Sequence, residues 1–138
     1  MDIEASEREL AVMVRNFYDK ANADPVLGPL FAQIITDWEG HLALVTDFWS
    51  RHLLGTGRYQ GNFFAAHTKM PMELDFFTRW ESAFIAACHE SLTPPLDGLA
   101  IAKAKHMNQM MKVGLFPWKD KDGTPLRHPP AHLRMTQD

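Results

Sequence analysis

Apolar residues near the start of the chain recur three or four positions apart, which is the spacing of one face of an α-helix. This first apolar stripe consists of Leu10, Val14, Phe17, Tyr18 and Ala21. Ser6 followed by Glu9 has the form of a capping box, in which each side chain bonds the backbone N–H of the other residue. The pattern therefore predicts a helix over about residues 6–22.

The helical spacing returns after a break at two proline-containing pairs, at 24–25 and 28–29, which leave room for one short turn of helix through 30–31. Thr36 with Glu39 makes a second capping box. The stripe that follows it consists of Trp38, His41, Leu42, Val45, Phe48, Trp49 and His52. A second long helix is therefore predicted to about residue 54.

Three more helices are predicted in the second half of the chain. Asn62 is placed to cap a short helix that carries His67 and ends before a proline. A long amphipathic helix is predicted over about 74–91, and a last helix over about 97–113 that closes at Gly114.

The end of the chain has a different character from the rest. From residue 116 onward it is rich in proline and charge and has no apolar period, which predicts a flexible tail. We therefore expect one folded domain over 1–115 and a tail over 116–138. Because no stretch alternates as a strand does and no repeat is present, the predicted fold class is all-α, with five or six helices.

Composition and charge exclude several classes of partner. The 138 residues carry a net charge of -3, so there is no large basic field of the kind that binds nucleic acid or an acidic membrane. No run approaches the length of a membrane span, and the charged N-terminal segment lacks the apolar core of a secretory signal. A single cysteine, Cys88, excludes an internal disulfide. We expect a cytoplasmic protein with no nucleic-acid or membrane partner.

His67 stands on a face otherwise given to large apolar side chains. Phe63 and Phe64 lie four and three residues before it, so at helical spacing all three should point together into apolar surroundings. The plain interpretation is a core histidine that bonds a backbone carbonyl. The alternative is an axial ligand to a flat, apolar cofactor that contains a metal.

Three polar side chains fall on stripes that should face the core. Tyr18 lies beside Phe17, His41 shares the stripe of the second long helix, and Trp80 shares a stripe with the phenylalanines of the 74–91 helix. Each of them alone is more often a packing residue whose polar tip bonds a carbonyl. Together, a hydroxyl, an imidazole and an indole N–H that converge on an apolar interior suit a small polar ligand.

Other chemistries fit the sequence less well. The histidines fall on separate segments without the spacing of a zinc site, and only His128 and His132 form a close pair, in the predicted tail. The lone cysteine lies mid-helix, and no serine has a histidine and an acid in view. A haem remains the best use of one axial histidine, many aromatic side chains and a polar pocket.

Three stretches carry a family resemblance. FYDKANADPVLGPLF, then DWEGHLALVTDFWSRHLLGTGRYQGNFFAAHTKMP, then DFFTRWESAF resemble the group III truncated haemoglobins, in the family's order and from about residue 16 to 92. The resemblance implies a shortened globin in a two-over-two helical sandwich, over 1–115. It also implies haem b, which is iron protoporphyrin IX, held by a proximal histidine.

The resemblance also implies a role for individual residues. His67 in AAHTKMP matches the proximal iron ligand, and Tyr18, His41 and Trp80 match the distal residues that contact a bound ligand. The residues implied to pack against the haem are Phe31, Phe48, Trp49 and Phe77. The haem carboxylates need donors at the rim of the pocket, and the candidates near His67 in sequence are Arg58, Tyr59 and Lys69.

Two features depart from the family pattern. The segment ITDWEGH before His41 is shorter than in some relatives, which leaves two roles open for His41: a gate or proton donor in the pocket, or a side chain turned to solvent at its mouth. The chain also continues past Gly114, beyond the typical end of the family.

The predicted function is reversible binding of dioxygen, nitric oxide, carbon monoxide or cyanide at the haem iron. Two hydrogen-bond donors to a bound ligand argue for retention rather than delivery, so nitric oxide detoxification and peroxidase-like chemistry are both open. Such chemistry would need a reductase partner, and we expect a monomer or weak homodimer. The alternative function is a cofactor-free helical interaction module whose inward polar residues bond one another.

Overall fold

Six α-helices make up most of the computed structural model, which describes residues 2–68 and 70–130. The helices are α1 (Ile3–Ala23), α2 (Leu27–Ile34), α3 (Trp38–Trp49), α4 (Phe63–His67), α5 (Leu74–Ser91) and α6 (Leu96–Leu115). A π-helical turn (Ser50–Leu54) follows α3 directly, and two short strands, β1 (Trp118–Lys119) and β2 (Pro125–Leu126), pair antiparallel near the end of the described chain. The all-α prediction is confirmed. No helix in the described ranges is both long enough and apolar enough to cross a membrane.

The core forms where α1 crosses α5, with α3 and α2 packed on α1 and α6 packed on α5. Aromatic rings dominate its centre. Phe84, 1% exposed, stacks against Trp80 at 4.7 Å and against Trp49 at 4.8 Å between ring centroids. This stack joins α3 to α5, and such offset ring pairs stabilise a core by more than the area they bury.

Helix starts differ from the predicted capping boxes. The N-cap of α1 is Asp2, whose carboxylate accepts from the Ala5 N–H, and Ser6 is buried inside the helix. The N-cap of α3 is Asp37, which accepts from the Gly40 N–H at 3.0 Å. The Ser6 and Thr36 predictions were therefore wrong, because aspartate caps as well as serine or threonine and the spacing pattern does not choose between nearby candidates.

Other predicted boundaries are confirmed. Asn62 caps α4 by accepting from the Ala65 N–H at 3.0 Å, and α5 spans the predicted residues 74–91. The second long helix, predicted to be uniform, changes to π geometry at Ser50. There the buried Ser50 hydroxyl donates to the Glu7 carboxylate at 2.6 Å, which ties the turn to α1.

The connection from α1 to α2 is tight. A Cβ added at Gly28 would lie 2.5 Å from the Asn22 carbonyl oxygen, so only glycine permits this approach. Asp24 accepts from the backbone N–H groups of Val26 and Leu27 at 2.8 and 3.0 Å. These contacts let α2 run over eight residues rather than the single predicted turn.

Residues 116–130 differ from the tail that the sequence predicts. β1 and β2 form a hairpin, and Arg127 donates to backbone carbonyls of the segment after α4. The pattern did not reveal this structure because hairpin strands of two residues are too short to alternate. Residues 131–138 lie outside the described chain, and the flexibility of the tail stays a prediction.

Candidate functional site

A cavity lies between α1, α3, α4, α5 and α6, with about 150 Å³ of space that water-sized molecules can occupy. Its walls are mostly aromatic and aliphatic. The lining residues are Tyr18, His41, Leu44, Val45, Phe48, Trp49, Tyr59, Phe63, Ala66, His67, Phe76, Phe77, Trp80, Met107, Asn108 and Met111. Four polar residues singled out in the sequence are thus brought to the same space.

His67 enters the cavity from the end of α4. Its Nδ1 bonds the Phe63 carbonyl oxygen at 2.7 Å, so the neutral ring carries its proton on Nδ1 and fixes its own orientation. Burial lowers the pKa of the imidazole, while the bond to Phe63 acts in the opposite direction. Its Nε2 makes no hydrogen bond within residues 2–68 and 70–130. A neutral imidazole with one nitrogen fixed and a lone pair on the other is the form that binds a metal.

Tyr18 and His41 bond each other where α1 meets α3. The Tyr18 hydroxyl oxygen lies 2.8 Å from His41 Nε2. Burial raises the pKa of the Tyr18 phenol, and burial followed by the charge of His67 lowers the pKa of His41. Both groups are therefore neutral near neutral pH, and either one is the donor in the bond according to the tautomer of His41.

Trp80 completes the polar set from α5. Its ring stacks on Phe84 and lies 5.1 Å from Phe17, between ring centroids. The indole N–H has no hydrogen-bond acceptor among the residues that the structure describes. No hydrogen bond or ring contact in that part of the chain joins His67 to Tyr18, His41 or Trp80. His67 therefore lines the same cavity as these three residues without bonding any of them.

Comparisons with known proteins agree on one family. The chain is 32% identical over 84 residues to the group 3 truncated hemoglobin ctb of Campylobacter jejuni. The matched stretch covers 57% of this chain and 66%, just under two thirds, of that protein. The crystal structure of the group III truncated hemoglobin from Campylobacter jejuni superposes with a TM-score of 0.72 and 26% identity, and covers 76% of this chain and 87% of that one.

The chain resembles the group III truncated haemoglobins in both sequence and fold. A comparison with models of protein families finds no match. The fold is the all-α globin fold that the resemblance implies, and the globin relatives imply a haem cofactor.

The cavity has features that fit a haem. Its walls are apolar and aromatic, His67 lines it with an Nε2 that makes no hydrogen bond among the described residues, and the donors Tyr18, His41 and Trp80 line it without bonding His67. A flat apolar macrocycle with one axial protein ligand needs this combination of walls and donor.

Three of the four predicted packing residues line the cavity: Phe48, Trp49 and Phe77. Phe31 lies behind this wall, with its ring centroid 5.4 Å from that of Tyr18. Phe63 stacks on Phe48 at 4.7 Å, whereas Phe64 is 41% exposed. The prediction that Phe64 shares the apolar face was wrong, because α4 is only five residues long and one side of it faces solvent.

The predicted rim residues are placed less uniformly. Arg58 does not line the cavity, because its guanidinium bonds the Glu7 carboxylate instead, with one contact at 3.1 Å. Lys69 lies outside the described residues. Arg51, His52 and Tyr59 line a groove beside the cavity. Arg51 and His52 belong to the π-helical turn. A π-helix directs its side chains differently from an α-helix, so regular helical spacing does not predict where these two side chains lie.

Residues of α6 were missed as a wall of the site. Met107, Asn108 and Met111 line the cavity, and Asn108, only 5% exposed, donates to the Glu81 carboxylate at 3.2 Å. The signal was present in the sequence, because Asn108 lies four residues after the buried Ala104. The same pattern, a polar residue on an apolar helical stripe, singles out Tyr18, His41 and Trp80 in the sequence.

Proposed function

We propose that this chain is a truncated haemoglobin that binds haem b through His67 and holds a small ligand near Tyr18, His41 and Trp80. One observation carries the proposal: an imidazole with a free Nε2 and a separate set of neutral donors line the same apolar cavity. The haem, when bound, supplies the iron at which ligands bind and one-electron chemistry occurs.

His67 is the proposed iron ligand, and the residues around it support this role. The Nδ1 bond to the Phe63 carbonyl orients the ring and increases the electron density on Nε2. Burial lowers the pKa of the imidazole, which favours the neutral form that binds metal.

Tyr18 and Trp80 are the proposed donors to a bound ligand. When His41 carries its proton on Nε2, it donates to the Tyr18 oxygen and leaves the phenolic O–H free to donate into the cavity. The Trp80 indole N–H is already free. A hydrogen bond to a charged acceptor contributes about 1.5–3 kcal/mol, so two of them slow ligand escape by orders of magnitude.

The donors support retention of the ligand and chemistry on it rather than delivery. Dioxygen, nitric oxide, carbon monoxide and cyanide all fit an apolar cavity with neutral donors. His41, bonded to Tyr18, is placed to pass a proton to a ligand, which supports nitric oxide dioxygenase or peroxidase-like activity. The dioxygenase activity would require a reductase that restores ferrous iron, whereas the peroxidase-like activity would require a reducing co-substrate.

Arg51, His52 and Tyr59 are the proposed contacts of the haem carboxylates. They line the groove that adjoins the cavity, and an arginine and a histidine supply donors to carboxylate oxygens. They replace Arg58 in this role, because that side chain is already paired with Glu7.

The deciding experiment is haem uptake. The purified chain should show a Soret band or acquire one with added haemin, and His67→Gly should lose haem, with imidazole in the buffer restoring it. His106→Gly changes an exposed histidine of α6 outside the cavity and should retain haem.

Two results would contradict the proposal. Normal haem content in His67→Gly would transfer the ligand role to another histidine, with His41 the next candidate. A wild-type protein that stays colourless with haemin would leave the cofactor-free helical interaction module. If haem binds, turnover with nitric oxide and with peroxide decides between the two activities.

A further inference from the structure

The guanidinium of Arg127 lies against the backbone that follows α4. Its Nη1 donates to the carbonyl oxygens of Met70 and Met72 at 2.5 and 3.4 Å, and its Nη2 donates to that of Thr68 at 2.9 Å. None of the ion pairs in the described ranges includes Arg127, so its donors are directed at these carbonyls rather than at a carboxylate.

Arg127 reaches this position from the C-terminal hairpin. It follows β2 directly, and the hairpin closes through the Asp120 N–H, which donates to the Thr124 carbonyl at 2.8 Å. Beneath it lies the ring of Phe116, with its centroid 5.9 Å from the guanidinium carbon. The hairpin and this ring therefore hold the guanidinium in place from below while its donors face the segment after α4.

The helix that carries His67 has little to stabilise it by itself. It has five residues, none of which is fully buried, and a helix this short is unstable in isolation. Asn62 holds its first turn. The described residues between α4 and α5, which are 68 and 70–73, form no helix or strand, and the Met70 N–H donates to the His67 carbonyl at 3.2 Å.

We infer that Arg127 is a positioning residue for His67. By bonding three carbonyls over residues 68–72, its guanidinium fixes the path of the chain that leaves α4, and so the direction in which the imidazole points. The planar fork of arginine donates to several acceptors at once, whereas lysine concentrates its charge and donors at one atom. We call the three hydrogen bonds from Arg127 to the carbonyls of Thr68, Met70 and Met72 the clamp. The link from the clamp to haem rests on the proposed function, but the clamp itself does not depend on that function.

The first test reads the clamp without reference to haem. In Arg127→Ala of the full chain, hydrogen exchange at the Met70 and Met72 amides should quicken by about tenfold or more, because charged hydrogen bonds that oppose local opening are lost. Arg127→Lys should recover part of the protection. Lys121→Ala removes an exposed cation at the turn of the same hairpin and should leave these amides at wild-type rates.

The second test reads the effect on His67. In the haem-loaded ferrous protein, Arg127→Ala should shift or broaden the iron–histidine stretching band and release haem to an acceptor protein about tenfold faster. The Lys121→Ala control should match wild type in both measurements. Urea unfolding of each variant separates these local changes from a general loss of stability.

The outcomes separate this inference from the proposed function. Unchanged exchange at Met70 and Met72 in Arg127→Ala overturns the clamp, whether or not the chain binds haem. Faster exchange with an unchanged iron–histidine band would mean that Arg127 stabilises the backbone after α4 without orienting His67, and it would overturn the positioning role. A wild-type chain that binds no haem ends the proposed function, while the exchange experiment still reports on the clamp.

Discussion

At the scale of single residues, the bond between Tyr18 and His41 governs what the site offers to a ligand. The phenol and the imidazole are 2.8 Å apart, and both are kept neutral by burial. With the proton on His41 Nε2 the phenolic O–H is free, and with the proton on Nδ1 the phenol is occupied as donor to the imidazole. A ligand that needs a donor therefore selects the first tautomer.

Replacing Tyr18 by phenylalanine removes only the hydroxyl, so the ring keeps its packing against Phe17 at 4.8 Å. We expect dioxygen to dissociate about tenfold or more faster from ferrous Tyr18→Phe, because a hydrogen bond to the ligand is lost. Stopped-flow displacement by carbon monoxide measures this rate. An unchanged rate in Tyr18→Phe would mean that the hydroxyl serves His41 alone.

Trp80 combines packing with a donor, and the two roles separate in Trp80→Phe. The smaller ring should cost about 1–3 kcal/mol of unfolding free energy, because the stack on Phe84 changes shape. Loss of the indole N–H should also speed dioxygen escape and autoxidation. Denaturant unfolding of the carbon monoxide form measures the first effect, and stopped-flow kinetics measures the second.

The control for Trp80 is Phe84→Leu, which disturbs the same stack from a buried position that does not line the cavity. It should lower stability while dioxygen kinetics stay at the wild-type values. If Trp80→Phe behaves in the same way, Trp80 is a packing residue, and the donors reduce to Tyr18 with or without His41.

At the scale of elements, helix ends are decided by which side chain reaches the first free N–H groups. For α3, which carries His41, the cap is Asp37 rather than the adjacent Thr36. Asp37→Ala should therefore lower the unfolding free energy by about 0.5–2 kcal/mol, whereas Thr36→Ala should change it by less than about 0.5 kcal/mol. Urea unfolding of the two variants provides the comparison. The reverse order would restore the predicted capping box.

Element positions follow largely from the sequence, because apolar spacing along a helix is local. The bounds of α5 and the cap at Asn62 needed only residues within a few turns of each other. The π-helical turn and the C-terminal hairpin could not be predicted from neighbouring residues, because they depend on contacts with residues far away in the sequence. Ser50 bonds Glu7, and Arg127 bonds the carbonyl of Thr68.

At the scale of the whole molecule, Glu7 ties the N-terminal helix to the π-helical turn and to the loop after it. Its carboxylate accepts from the Ser50 hydroxyl at 2.6 Å and pairs with Arg58. Hydrogen bonds from Arg58 and then Ser50 hold the pKa of Glu7 below its ordinary value of 4.5, against the opposing effect of burial. Folding therefore favours the ionised form of this carboxyl.

The sign of the pH dependence follows from this lowered pKa. The stability that Glu7 contributes is fully present above pH 4.5 and is lost as the pH falls through the folded pKa, because the unfolded chain then binds more protons. Glu7→Gln should be less stable than wild type at neutral pH, and the difference should shrink in acid. Urea midpoints at about pH 7 and about pH 4 measure it.

Asp19→Asn is the control for Glu7→Gln. Asp19 lies exposed on the same helix and makes no hydrogen bond or ion pair within the described residues. This variant should follow the wild-type pH dependence. A Glu7→Gln curve parallel to wild type would show that the contacts with Ser50 and Arg58 contribute equally in both protonation states.

The amino-acid sequence alone is sufficient to predict the helical class, the order of the helices and four polar residues that line the cavity. Polar side chains on apolar stripes are a local signal, and they identified Tyr18, His41, His67 and Trp80, all of which line one cavity. The family resemblance rested on the same stretches and was confirmed by the comparisons.

The packing of distant segments, and not the sequence pattern, sets which long or polar side chains meet. Arg58 pairs with Glu7, and Arg51 lines the groove beside the cavity. Arg127, which follows the C-terminal hairpin, donates to backbone carbonyls of the segment after α4. A flexible side chain bonds whichever acceptor the packing of distant segments brings within reach, and spacing along the chain carries no record of that distance.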